Sequence, residues 1–186
     1  MRITSGEHRG RKIIMPLGIR PTQEKVRKAV FDILGDIEGL SFLELFAGSG
    51  AVGLEAASRG VKEVVLVEHN RDCLIAIRKN IDSLKLETCS VCTKEAEGAV
   101  KIFFKEGRKF DIIFLDPPYH KGRDGISLVK KTLQMLSSCD ILAPCGFIIC
   151  QHFRKDDLPD QLGVLTLLKR KVYGDTLVSL YVKKEA

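Results

Sequence analysis

No stretch of the 186 residues approaches the run of about twenty apolar residues that a membrane-spanning helix requires. The opening, MRITSGEHRG, lacks the apolar core of a secretory signal, so the chain is expected to work in the cytoplasm. Cys89-x-x-Cys92 has no second CxxC and no histidine pair at zinc spacing beside it, which argues against a zinc centre. The six cysteines fall mainly in or beside apolar runs, the pattern of reduced core thiols and not of a disulfide framework. Internal repeats and low-complexity tracts are missing too. What remains is 45% hydrophobic and 29% charged, enough for one domain with a substantial core and an N-terminal appendage. A net charge of +6 permits a nucleic-acid partner without requiring one.

The chain is organised around FLELFAGSGAVGLEAASRG, residues 42 to 60. An apolar strand runs into Gly48, Gly50 and Gly53, and an Ala/Leu-rich helix follows. Glycine belongs where a strand hands directly to a helix, because the turn is tight and a ligand reaches the backbone only where no Cβ intrudes. The N–H groups left unpaired at the helix start favour a polar or anionic ligand group. Glu68 ends the next apolar run, VVLVE, about twenty residues on, where an acid that binds ribose hydroxyls belongs. This spacing predicts a nucleotide-like cofactor and leaves NAD, FAD and S-adenosylmethionine open. Glu44, just before the turn, suits a cofactor with a cationic amino-acid end better than one with a pyrophosphate.

A second informative stretch is FDIIFLDPPY, residues 110 to 119. A buried strand runs into Asp116-Pro117-Pro118-Tyr119, where two prolines fix an extended, rigid turn without N–H donors. Carbonyls and the Asp116 carboxylate then present acceptors at the carboxyl end of the strand, the edge where open α/β sheets bind ligands. That arrangement suits a planar base gripped by its amine while Tyr119 stacks on its face. At the N-terminus, Arg2, Arg9, Arg11, Lys12 and Arg20 form the most concentrated basic segment, read as an arm that contacts nucleic-acid phosphates. A helix is expected over RPTQEKVRKAVFDILG, capped by Thr22 and stopped by Gly35, with Lys25 and Arg27 or Lys28 available to a polyanion. Further strand and helix patterns alternate towards a terminal hairpin turning at Tyr173 to Thr176, which predicts a parallel sheet ending in antiparallel strands. His152, at a strand end, reads as a hydrogen-bonded structural histidine, and His120 as an exposed loop residue.

With RITSGEHRGRKI, RPTQEKVRKAVFDIL, ELFAGSGAVGLEAASRG, DPPY and YGDT taken together, the chain resembles class I S-adenosylmethionine-dependent methyltransferases over almost its whole length. Among these it is similar to the bacterial family that methylates the exocyclic N2 of a guanine in 16S rRNA. The resemblance implies a Rossmann-like α/β fold: a mostly parallel, seven-stranded sheet with helices on both faces, a C-terminal antiparallel hairpin and a small N-terminal β-hairpin and helix extension. It implies one methyltransferase domain over residues 1–186, with 1–22 as the RNA-contacting extension and 23–186 as the catalytic core. By the same resemblance the cofactor is S-adenosyl-L-methionine, held by Glu44, the turn Phe46-Ala47-Gly48-Ser49-Gly50, and Glu68 with His69. Lys94-Glu95-Ala96 would lie beside the adenine, at a turn where many such enzymes carry Asp or Asn. Asp116, Pro117, Pro118 and Tyr119 are the implied catalytic residues, and the implied partner is 16S rRNA, free or in an assembling subunit, acted on by a monomer. Two other readings stay open at this point: methyl transfer to DNA adenine N6 or a protein glutamine, and a non-catalytic RNA-binding protein.

Overall fold

The computed structural model describes residues 1–16, 18, 24–118 and 125–184. They form two compact units, Met1–Glu95 and Ala96–Ala186.

In the first unit, α1 (Glu24–Leu34) is followed by three strands alternating with two helices: β1 (Ser41–Leu45), α2 (Ala51–Ser58), β2 (Glu63–Val67), α3 (Arg71–Leu84) and β3 (Cys89–Cys92). The strands lie in the order β3-β2-β1 and all pairs are parallel, so their carboxyl ends share one edge. Every residue of β1 is buried, as expected of a parallel strand covered on both faces. Gly35, with φ 73, ends α1 by donating its N–H to Phe31 O, the left-handed stop foreseen from the sequence. The proposed cap, Thr22, lies outside the described residues. Asn70 caps α3, its Oδ1 accepting from the N–H groups of Asp72 and Cys73.

The second unit holds α4 (Ala96–Lys105), β4 (Phe110–Leu115), α5 (Leu128–Ser138), β5 (Leu142–Phe153), β6 (Gln161–Leu162), β7 (Leu165–Tyr173) and β8 (Thr176–Lys183). Its strand order is β4-β5-β8-β7-β6, with β4 and β5 parallel and the rest antiparallel. The terminal hairpin turns where the sequence placed it, from Tyr173 to Thr176. The described strands number eight; the one beyond the expected count is β6, two residues long and too short to show a periodicity.

The six cysteines form no disulfide among the described residues; Cys73 and Cys150 are buried and Cys145 is exposed. Burial pushes the Cys73 thiol up to about 11 and Cys89 up to about 12, which lowers the thiolate fraction of both at neutral pH. Among the described residues no helix is long and apolar enough to cross a membrane.

Candidate active site

The glycine turn of the first unit is built by its backbone. Phe46, Gly48 and Gly50 all take positive φ, at 64°, 56° and 74°. For Phe46, a residue with a Cβ, this is an uncommon conformation, and strain of that kind concentrates at functional turns. Gly53, one turn into α2, is glycine for a packing reason: a Cβ there would come within 2.5 Å of Leu66 Cδ2 and 2.8 Å of Glu44 Oε2. Glu44 is 3% exposed, and its Oε2 accepts the Gly53 N–H at 2.8 Å. The N-cap residue Gly50 has no side chain to offer, so the preceding strand supplies the anion that satisfies the start of the helix.

Glu68 ties the turn to the end of β2. Its Oε2 accepts from Gly48 N–H at 2.7 Å, while Oε1 accepts from His69 and Asn70 N–H at 2.8 Å each. A carboxylate has about four lone-pair positions, so three backbone donors orient it and leave acceptor capacity for a hydroxyl. Phe46 and Gly48 are half-buried, Ala47, Ser49 and Gly50 are buried, and the His69 side chain is exposed. Lys94 and Glu95 are exposed just after β3, with Ala96 buried at the start of α4. A backbone cradle without side chains at 48 and 50, beside a pre-oriented acid, fits a nucleoside-bearing cofactor.

In the second unit, Asp116 leaves β4 half-buried, followed by buried Pro117 and exposed Pro118. Gln151 Nε2 donates to Asp116 Oδ2 at 3.0 Å. Behind it, His152 is buried, its Nδ1 3.2 Å from the Phe153 carbonyl and its Nε2 2.9 Å from Ser179 Oγ. A carbonyl only accepts, so Nδ1 carries the proton; Nε2 accepts from the Ser179 hydroxyl, which itself accepts from Arg170 Nε at 3.2 Å. The histidine is thus structural, as the sequence suggested. Burial holds its pKa below the usual 6.5, outweighing the Phe153 carbonyl and Asp156, with Arg170 acting in the same direction as burial.

A depressed folded-state pKa means the unfolded chain binds the extra proton more readily. Stability is therefore fully present above about pH 6.5 and declines as pH falls below it. His152→Gln should flatten this dependence: between pH 7.5 and 5 the melting temperature of the parent should drop more than that of the variant, as read by circular dichroism.

Tyr119 and His120, expected as stacking and loop residues, and Arg20 of the arm lie outside the described residues. The rest of the basic arm is a folded part of the first unit. Arg2 and Lys12 form an antiparallel bridge, Ser58 Oγ donates to Ser5 O and accepts from His8 N–H, and Ile14 exchanges two hydrogen bonds with the Asn80 amide. Arg2, Arg9, Arg11 and Lys12 remain exposed, and Arg2, Arg9 and Lys12 line a groove of about 590 Å³. Arg27 corrects the sequence reading: it is 0% exposed and cannot meet a polyanion. Its guanidinium donates to Met1 Sδ and to Arg2 O, and lies 3.8 Å from the Glu55 carboxylate, so it anchors the arm from beneath. Lys25 and Lys28 are exposed as expected.

Sequence reasoning missed Glu55, Asn80 and Gln151. The last had a visible signal, a polar Gln-His pair ending the apolar run GFIIC at a strand's carboxyl end.

The profile of the family described as "Conserved hypothetical protein 95" matches residues 1–182. The chain belongs to this family. YlbH of Bacillus subtilis (strain 168) is 34% identical over 188 residues, covering 99% of this chain and 100% of that one. "Ribosomal RNA small subunit methyltransferase D" of Escherichia coli (strain K12) is 32% identical over 187 residues, covering 99% of this chain and 90% of that protein. The solved structure of yhhF from Escherichia coli superposes with a TM-score of 0.87 at 32% identity, over 100% of this chain and 99% of that one. The family's fold is the mixed α/β fold of class I methyltransferases, as the strand and helix order of both units had indicated.

Proposed function

We propose that this protein transfers a methyl group from S-adenosyl-L-methionine to the exocyclic N2 of a guanine in 16S rRNA, as a cytoplasmic monomer. The observation that carries the reading is Asp116-Pro117-Pro118 at the end of β4, a proline-locked acceptor loop with its carboxylate held by Gln151. The name of the Escherichia coli relative supports the substrate class.

The cofactor supplies an electrophilic methyl on a positively charged sulfur; the residues of this chain bind and orient. Gly48 and Gly50 would let the backbone approach it, and Glu68 would accept from its ribose hydroxyls. Glu95 would lie on the adenine side, and the Glu44 charge would favour the cationic end. The guanine amine is a weak nucleophile because its lone pair is delocalised into the ring. Asp116 and the Pro117 carbonyl accept its two N–H bonds, which holds the lone pair towards the methyl and favours a pyramidal nitrogen. Formation of the N–C bond would accompany cleavage of the donor's C–S bond, with that electron pair going to sulfur, and the amine would release its proton afterwards. The base must be unpaired or flipped to reach the loop.

The direct test is mass spectrometry of 16S rRNA nucleosides from cells with and without the gene, together with methyl transfer in vitro to naked rRNA and to assembling small subunits. Loss of N2-methylguanosine on deletion is the expected result, and its persistence would overturn the reading.

The exposed arm residues hold the RNA backbone. Replacing Arg9 and Lys12 together by Ala should weaken binding about equally for all RNA sequences and lower the slope of log affinity against log salt by about 1 to 2. Titration of labelled rRNA fragments at several salt concentrations reads this, with the melting temperature unchanged.

A further inference from the structure

Gln151 is 6% exposed at the carboxyl end of β5, next to Cys150, whose register partner is Leu115, the residue before Asp116. Its amide can face the Asp116 carboxylate in one sense only. A carboxylate offers lone pairs, so Nε2 must point to it, as it does at 3.0 Å. Oε1 of the same carboxamide is then fixed, buried and without any hydrogen-bond partner among the described residues. An unpaired buried acceptor is costly, and native structures keep one where something else supplies the donor.

Guanine supplies it. Its Watson–Crick edge carries two neighbouring donors, the N2 amine and the N1–H, and the hydrogen-bonded pair Asp116 and Gln151 carries two acceptors, the carboxylate and the unpaired Oε1. Adenine has an amine next to N1, but that N1 carries a lone pair, which would meet the lone pairs of Oε1. We infer that Gln151 is a specificity-determining residue: Oε1 accepts the guanine N1–H while Nε2 positions the Asp116 carboxylate for the amine. The inference rests on the guanine-N2 reading and deepens it.

The test pairs a change in the enzyme with a change in the base. A substrate RNA is prepared with guanine or with 2-aminopurine at the target position; 2-aminopurine keeps the amine and lacks the N1–H. Methyl transfer by the parent protein and by Gln151→Met is measured as the ratio of kcat/KM for the two RNAs, a ratio that cancels any misfolded fraction of either preparation. The parent should prefer guanine by about 10- to 100-fold, the effect of leaving a buried acceptor unpaired, and Gln151→Met should lose most of that preference. Gln151→Glu, which keeps an acceptor oxygen, should retain the preference at a reduced rate, because it places two carboxyl groups side by side. Equal preference in parent and Gln151→Met, or no preference in the parent, would overturn the assignment to Gln151. Failure of the parent to methylate the guanine RNA at all would instead overturn the guanine-N2 reading.

Discussion

Asp116→Ala is expected to lower kcat for methyl transfer to rRNA by about 100- to 1000-fold, the usual loss when one preorganised polar group facing the reacting centre is removed. Cofactor affinity, measured by calorimetry, should stay within about twofold, because the cofactor turn is built from the first unit, around Gly48 and Glu68. The loss should appear in kcat and kcat/KM alike, since the contact matters most when the amine turns pyramidal. Asp116→Asn is the sharper variant. It keeps the shape and one acceptor oxygen but places an amide against Gln151 Nε2, now 3.0 Å from a carboxylate oxygen. Partial activity in the Asn variant and none in Ala would assign the effect to hydrogen-bond acceptance. Equal, near-complete activity in both would remove Asp116 from the chemistry.

The second large effect is on stability. Glu55 and Arg27 are both 0% exposed, and Glu55 also accepts from Thr4 N–H at 2.8 Å, Thr4 Oγ1 at 2.7 Å and Arg59 at 3.2 Å. Burial already pulls the Arg27 pKa down, and the attraction of Glu55 is the largest influence opposing it. Glu55→Ala therefore leaves a buried guanidinium without its counter-ion and strands the Thr4 N–H. Removing one partner of a buried pair costs about 3 to 5 kcal/mol, which for a chain of this size lowers the melting temperature by roughly 10 °C. The double variant Glu55→Ala, Arg27→Met should recover part of that loss, because no buried charge remains. Thermal unfolding of the single and double variants measures both, and a single variant as stable as the parent would show the pair to be dispensable.

Much of the fold around the candidate site was legible because its signals are local. A strand, three glycines and a helix need only neighbouring residues to make sense, and so do two prolines after a buried strand. The same holds for the Gly35 stop and for the turn at Tyr173 to Thr176. The unread parts depend on contacts far apart in sequence. Thr4 meets Glu55 across 51 residues and Ile14 meets Asn80 across 66, so no window of the sequence distinguishes a latched arm from a loose one. Arg27 sits at a helical position that periodicity alone left outside the apolar stripe, and its burial follows from the arm lying over it. The Gln151 amide could be read as part of a strand end, while its bond to Asp116 depends on two strands being in register.

The three N–H groups gathered by Glu68 come from two separate loops, Gly48 after β1 and His69 with Asn70 after β2. One side chain thus works as a clasp: neither loop can swing open without releasing the other. Amide exchange at these three positions should slow or quicken in concert. A nucleoside bound at the proposed cofactor turn would meet a receptor whose shape is already set, so little of its binding energy would be spent on ordering the backbone.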